Sequence, residues 1–304
     1  FRVIANMEEG NFVSLVSGIG LSMNNFQQEE PPIPSLDFSL NFDGLNDYVD
    51  LQKPTFNGWQ NNYSIAVSFY AESYDGRMIY HNRNHDMSSY IRLTENPSTT
   101  NVELNFYVGT NTNPDNCPGY VTNDQFCAVD LYYEIDLNRW YDVVGTYDGN
   151  IMKLYVDGHL VNSIEFNGNQ NWSNEPTHPT QFGYYYTRIG DNEGGGYIPI
   201  DGKIDDLAIF SNALTEEQVS NLDVKSLEGN EYGLSNLYHF NEGGGSVLND
   251  VAVHQNVDNY NHGIIYGATW VENSILGCLD ELACNYNEEA TESDSSCDYR
   301  CHDN

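Results

Sequence analysis

The stretch Arg139–Gly158, R-W-Y-D-V-V-G-T-Y-D-G-N-I-M-K-L-Y-V-D-G, sets the frame for the rest of the chain. Val143 and the positions two apart from it alternate with polar neighbours until Asp148-Gly149-Asn150 interrupts. Ile151 to Val156 resumes the alternation, and Asp157-Gly158 interrupts it again. A period of two puts alternate side chains on opposite faces, the mark of a half-buried strand. Asp-Gly is a tight-turn signal, because glycine takes positive φ at little steric cost. The stretch therefore predicts an antiparallel hairpin that runs straight into a second turn.

Working outward, the same pattern recurs. Phe38, Leu40 and Phe42 alternate, and Asp43-Gly44 with Asn46-Asp47 makes a turn before Tyr48–Leu51. Tyr63–Tyr70 reads as a strand, Met78–His81 with Tyr90–Leu93 as a hairpin, and Val102–Val108 as a further strand. Asn111–Asp130 reads as an Asn/Pro/Gly-rich excursion, most simply a loop pinned by a Cys117–Cys127 disulfide.

Three motifs carry a family resemblance. W-Y-D-V-V-G-T-Y-D-G followed by L-Y-V-D-G resembles the central hairpin of laminin-G-like (concanavalin A-like) jelly-roll domains. L-N-F-D-G-L-N-D-Y-V-D-L at Leu40–Leu51 is similar to that family's opening strand. D-G-K-I-D-D-L-A-I-F-S-N-A-L-T-E-E-Q-V at Asp201–Val219 is similar to its closing strand and the short helix behind it. The motifs occur in the family's order. With the strand pattern they lead to an all-β fold, an antiparallel jelly-roll β-sandwich, with a small disulfide-stapled C-terminal module. Leu237–Trp270 resembles the strand pair that opens many domains of this family, yet here it follows the closing helix. It reads either as a permuted flank that completes this sandwich or as the truncated start of a second domain. With only 34 residues before the cysteine tail there is too little chain for a second core, so docking on the first domain is expected. The division expected is 1–34 for an N-terminal strand and Pro-rich linker, 35–272 for the sandwich and 273–304 for the cysteine module.

Composition narrows the partners. Lys and Arg number 11 against 45 Asp and Glu, a net charge of −34. A field of that sign repels phosphate backbones and anionic surfaces and favours cations, which argues against nucleic acid as a partner. No apolar run is long enough to span a bilayer, so membrane insertion is not expected. The first residues lack the basic head and apolar run of a signal peptide, so a secreted chain is expected to be processed before Phe1.

The six cysteines favour disulfides and an oxidising compartment, hence a secreted or surface protein. A zinc site is the competing reading of the last four, weakened by the lack of any C-x2-C pair. The tail from Gly277 to Cys297 resembles a short cysteine module that recurs in secreted proteins of marine bacteria. That resemblance implies a Cys278–Cys297 bridge and leaves Cys284 to pair with Cys301. Asp280, Asn285, Asn287 and Asp294 there offer oxygens to a cation, with a solvated polar loop as the plainer reading.

At the other end, N-F-V-S-L-V-S-G-I-G-L-S-M has the content of a strand with no neighbour in sequence to pair with. It is expected to add to this domain's own sheet or to be donated to a neighbouring copy, a route to self-assembly through residues 1–34.

The family resemblance also implies one calcium on the sandwich rim. Its candidate ligands are Asp43, Gly44 (through a carbonyl) and Asp47 in the opening turn, with Asp205 and Asp206 in the closing strand. The favoured combination is Asp205 with a carbonyl near Gly44. Both aspartates of the closing strand reach one ion only if a bulge interrupts the alternation. The plainer reading of these residues is turn formation. Trp172 and Tyr185, in an aromatic, Asn-rich segment, are candidate ligand contacts because aromatic faces stack on sugar rings.

Catalysis is not expected. Retaining glycosidases of this fold carry E-x-D-x-E on one strand, whereas Glu134–Asn138 reads E-I-D-L-N. His81 and His85 near Asp86 make a candidate metal cluster for which no further converging ligand is identifiable, and Gly194-Gly195-Gly196 lacks the flanks of a phosphate loop. The function expected is a non-catalytic adhesion protein that recognises carbohydrate or a surface ligand. The alternative is a structural subunit of an extracellular filament or surface layer.

Overall fold

The computed structural model describes residues 37–51, 55, 58–74, 78–82, 89–96, 98–110, 117–122, 126–166, 170–172, 187–189, 199–254, 260–274, 276–288, 290, 292–293 and 295–302. Residues 1–34, with their expected strand and linker, lie outside these.

The first strands are β1 (Phe38–Asp43), β2 (Tyr48–Asp50), β3 (Gly58–Gln60), β4 (Tyr63–Ala71), β5 (Met78–Asn82), β6 (Ser89–Glu95) and β7 (Val102–Thr110). Next come β8 (Tyr120–Thr122), β9 (Phe126–Ile135), β10 (Trp140–Tyr147), β11 (Ile151–Val156), β12 (His159–Glu165), β13 (Gln170–Trp172), β14 (Thr187–Ile189) and β15 (Asp201–Phe210). Helix α1 (Glu216–Ser220) follows, then β16 (Leu234–Tyr238), β17 (Val247–Leu248), β18 (Gly263–Tyr266), β19 (Thr269–Glu272), β20 (Leu276–Gly277) and β21 (Glu292–Ser293).

Two antiparallel sheets face each other. One has eight strands in the order β12-β11-β10-β4-β15-β1-β19, with β16 also paired to β15. The other has nine, β17-β18-β2-β14-β5-β6-β7-β9-β8. Between them lies an apolar core to which β4 gives Ile65, Val67 and Phe69, β6 gives Ile91 and Leu93, and β15 gives Ile204, Leu207 and Ile209. Each set is spaced by two as the alternation requires, except for one extra residue between Ile204 and Leu207 in β15.

The Arg139–Gly158 stretch forms β10 and β11, with Val143 opposite Val156 and Tyr147 opposite Met152. At its second turn Asp157 and Gly158 both hold positive φ, 49° and 74°, the geometry that matches the twist of the flanking strands. Gly145 faces inward, and a Cβ there would stand 2.6 Å from the Phe106 ring of the opposite sheet. A side chain at this position would collide with the opposite sheet.

The excursion expected from Asn111 to Asp130 is only partly a loop. Phe126–Ile135 is a ten-residue strand paired with β7 from Thr110–Cys127 to Val102–Ile135. The alternation of Cys127, Val129 and Leu131 with Ala128 and Asp130 was masked in the sequence by the turn-forming residues before it. Cys117 bridges Cys127 on this strand.

Helix α1 opens with a capping box. Thr215 accepts from the Gln218 amide, and the Gln218 side chain accepts from the Thr215 amide, satisfying two donors the first turn leaves bare. Val219 on this helix joins Ala66, Val144, Tyr155, Ala208 and Leu237 in a second apolar cluster behind the eight-stranded sheet.

The segment after α1 returns to the sandwich. β16 pairs with β15, β18 with β2 and β19 with β1. The buried Asp250 anchors this return. Its Oδ1 accepts from the Leu237 and Ala252 amides, and its Oδ2 from Asn236 Nδ2, the Asn261 amide and His254 Nε2.

In the tail, disulfides join Cys278 to Cys297 and Cys284 to Cys301. Asn285 clamps the module by donating to the Ser296 carbonyl and accepting from the Asp298 amide. Asp280 accepts from the Leu282 amide and the Tyr299 hydroxyl, so these two side chains spend their oxygens on the module itself.

Candidate functional site

The expected calcium ligands separate into two groups. In the opening turn Asp43 Oδ1 accepts from the Leu45 amide and Asp47 Oδ2 from the Asp43 amide, the hydrogen bonds of a turn. Gly44 sits between them at φ 73°. Asp47 is buried against Gly267, where a Cβ would lie 1.8 Å from Asp47 Oδ1, and burial pushes its carboxyl above the usual range.

The register of β1 on β15 sets Asp43 opposite Asp201. Asp205 is four residues further along, about 13 Å at the rise of a strand. The favoured pairing of Asp205 with a Gly44 carbonyl is therefore not formed: the two lie toward opposite ends of β1. Among the described residues no three His, Cys, Asp or Glu side chains converge as a metal site.

The bulge that Asp205 and Asp206 required is present. β15 pairs Asp205 with Ser68 and Ala208 with Ala66, which leaves Asp206 and Leu207 against Val67 alone. Asp206 takes φ 43°. Because Ile204 and Leu207 both face the core, the extra residue leaves Asp205 and Asp206 together on the far side.

There they join Asp37, Lys225, His239 and Asn273. Lys225 Nζ bonds Asp37 Oδ2 at 2.7 Å, and Asn273 Nδ2 donates to Asp205 Oδ2 at 3.0 Å. His239 Nε2 lies 3.1 Å from the Leu227 carbonyl, which can only accept, so Nδ1 is the nitrogen that meets Asp206 Oδ1 at 3.2 Å. Burial, then the neighbouring Asp206 and Asp37 charges, push Asp205 up to about 9. The hydrogen bond to Asp206 is the main cause raising His239. This is a buried polar network that ties β15 to the chain on either side of it.

A different surface has the character of a ligand site. On the outer face of the nine-stranded sheet, His81 of β5 is opposite Tyr90 of β6, Tyr90 opposite Tyr107 of β7, and Tyr107 opposite Asp130 of β9. The next row sets Arg92, Asn105 and Tyr132 side by side. Their immediate neighbours, Ile91, Leu93, Phe106 and Leu131, face the core, which sends these rows outward.

The Tyr90 and Tyr107 rings stack with centroids 4.0 Å apart and planes 5° from parallel. The Arg92 guanidinium lies over Tyr90 at 4.9 Å and reaches Asp130 Oδ2 at 3.3 Å. Tyr107 is buried, whereas Tyr132 beside it is 55% exposed. Toward the other edge of the same face Tyr48 stacks on Tyr266 at 4.7 Å, with Tyr266 44% exposed.

Of the two expected ligand contacts, Trp172 lies on β13, which pairs with β3 through Trp172 and Gly58. Tyr185 falls outside the described residues, as do His85 and Asp86. The tyrosine rows went unnoticed in the sequence, although Tyr90-Ile91-Arg92-Leu93 carries their signal, polar-faced residues alternating with core ones.

The E-I-D-L-N segment has a structural reason not to form the glycosidase constellation. β9 ends at Ile135, and Asn138 holds a left-handed φ of 62° in the following turn, with its amide bonded to the Ala71 carbonyl. The third position of the motif is thus off the strand.

The laminin G family model described as the concanavalin A-like lectin/glucanases superfamily matches residues 42–220. The chain belongs to this superfamily. A candidate carbohydrate binding protein of Bacteroides ovatus superposes with a TM-score of 0.54 at 16% identity, covering 78% of this chain and 60% of its own. The CBM40 of the Ruminococcus gnavus IT-sialidase bound to alpha2,3 sialyllactose gives 0.43 at 12%, covering 60% of this chain and 94% of its own. Domains LG4-5 of the mouse laminin alpha1 chain give 0.41 at 12%, covering 59% and 44%. No curated protein matches the sequence. At these identities the likeness of this concanavalin A-like chain to each structure is one of fold.

Proposed function

We propose that the protein is a secreted, non-catalytic adhesion module that binds a glycan on the outer face of its nine-stranded sheet. Tyr132, 55% exposed beside the stacked Tyr90–Tyr107 pair and Arg92, carries this reading. A sugar ring offers an apolar C–H face and a rim of hydroxyls. The exposed Tyr132 ring matches the first, and its hydroxyl with the half-buried Arg92 and Tyr90 matches the second. The superfamily and the carbohydrate-binding description of the Bacteroides ovatus protein support it. The net charge of −34 favours neutral or amine-bearing glycans over polyanionic ones. Ligand contact by Trp172 and Tyr185 belongs to the same proposal. Three disulfides fit an extracellular setting, and among the described residues no helix is long and apolar enough to cross a membrane.

The calcium of the family resemblance is kept only for the Asp43, Gly44 and Asp47 turn, where Asp43 is exposed. A glycan array run with calcium and with a chelator tests both parts. Binding above that of an unrelated acidic protein is expected, weakened about tenfold by Tyr132→Ala if one stacked ring is lost. No binding in either buffer refutes the glycan reading, and equal binding in both refutes the role of calcium.

A second reading, a filament or surface-layer subunit built through residues 1–34, is favoured by one observation. β12 and β19 end the eight-stranded sheet, and among the described residues no further strand pairs with either. The native mass with and without residues 1–34 tests it, and a monomer in both forms sinks it.

A further inference from the structure

The eight-stranded sheet has a cleft of its own, on the face turned away from the core. A cavity of about 510 Å³ lies between α1, with the 3-10 turn behind it, and the strands β4 and β10. Ala66 and Val144 form its floor, and Val219 and Leu222 its wall. Ser68, Arg139, Asp142 and Asp157 form a rim of hydrogen-bonding groups.

That rim is held in place. Arg139 is paired with Asp157, Asp157 Oδ1 accepts from the Asp142 amide at 3.1 Å, and Asp142 Oδ1 accepts from the Ser68 hydroxyl. The Arg139–Asp157 pair is open to solvent, so its remaining donor and acceptor positions face outward. Register and alternation extend the surface by one row. Asp142 is opposite Ser68 and, two residues on, Trp140 is opposite Tyr70. The Trp140 and Tyr70 rings lie 5.9 Å apart, Lys203 Nζ is 5.4 Å from the centre of Tyr70, and Trp140 is 37% exposed.

An apolar floor, a fixed guanidinium–carboxylate rim and an aromatic shelf narrow the occupant. A purely apolar ligand would bury the ionic rim without replacing its water. An ion of either sign meets the opposite and the like charge together. A polyhydroxylated ring matches all three parts: its C–H face on the aromatic shelf, its hydroxyls donating to Asp142 and accepting from Arg139. We propose that this cleft is a second saccharide site. It lies on the sheet opposite the tyrosine rows, so a protein occupied on both faces would cross-link glycan chains.

Calorimetric titration with cellohexaose, laminarihexaose and mannohexaose tests the proposal, with Trp140 fluorescence followed in parallel. For at least one hexaose the protein is expected to show two sites. Trp140→Phe and Asp142→Asn should each weaken one of them about tenfold, with the fold unchanged by circular dichroism, while Tyr132→Ala weakens the other. A single site lost with Trp140→Phe but not Tyr132→Ala supports the cleft and removes the tyrosine face. A single site lost only with Tyr132→Ala overturns the cleft and leaves the tyrosine face standing. Absence of any hexaose binding also overturns it.

Discussion

Replacing Asp250 by Asn changes one atom at the centre of the segment that closes the sandwich. The Asp250 side chain has no exposed surface, and each of its two oxygens faces only donors: two amides on Oδ1, and an amide, the Asn236 amide nitrogen and a histidine nitrogen on Oδ2. In either orientation the NH2 of Asn confronts at least two of these, so at least two hydrogen bonds are lost and donor meets donor. Bonds to a charged acceptor contribute about 1.5–3 kcal/mol each. Removing the buried charge returns part of that, since its desolvation no longer opposes folding. The net expected is a destabilisation of about 3 kcal/mol. At about 2–4 °C per kcal/mol for a domain of this size, the midpoint should fall by roughly 6–12 °C. Differential scanning calorimetry reads this directly, and Asp250→Leu, which strands all five donors, should cost more. A midpoint for Asp250→Asn within about 2 °C of the parent would mean that the carboxylate does not hold the returning strands, and the reasoning would fail.

Two further outcomes concern the buried charges and the tail. Asp205 has its folded pKa raised to about 9, so the native chain holds a proton that the unfolded chain releases near 4. The unfolded state then binds fewer protons, and stability falls as pH rises through that window; His239, also raised, adds the same sign above about 6.5. Asp205→Asn should melt near the parent at pH ~5 and several degrees higher at pH ~8.5, whereas parallel curves of midpoint against pH would refute the assignment. Changing Cys284 and Cys301 both to Ser should expose the tail to protease, because a module this small depends on its bridges, and leave the sandwich midpoint in place. Equal protease resistance would show that the module is held by other means.

How much of this was legible in the sequence depends on the range of the interaction. The β10–β11 hairpin was, because its turns are local and Asp157-Gly158 states its own φ angles. So was the core face of β4, where Ile65, Val67 and Phe69 keep the period of two. β9 was not, because Asn111–Gly119 is rich in turn-formers and drew the reading of the residues after it. The distance between Asp205 and Gly44 was hidden for a different reason. Sequence shows that Asp205 and Asp206 are adjacent, but not that Asp43 pairs with Asp201, and register is a long-range property. The bulge itself is invisible in the letters D-D-L-A, since it depends on what Ser68 and Ala66 pair with. The tyrosine rows are equally a product of register: Tyr90, Tyr107 and Asp130 are far apart in sequence and neighbours only once β6, β7 and β9 align.

The return of the chain after α1 has a consequence for the order of events at the ribosome. β1 pairs with β19, and β2 with β18, so strands from before the central hairpin are completed by strands from after α1. Until Trp270 has emerged, Leu40 lacks its partner on one side and β1 keeps a bare edge. The domain therefore cannot close progressively from its N-terminus. Its late, long-range pairing predicts slow folding, with β1 and β2 left unpaired until synthesis of the sandwich is nearly complete.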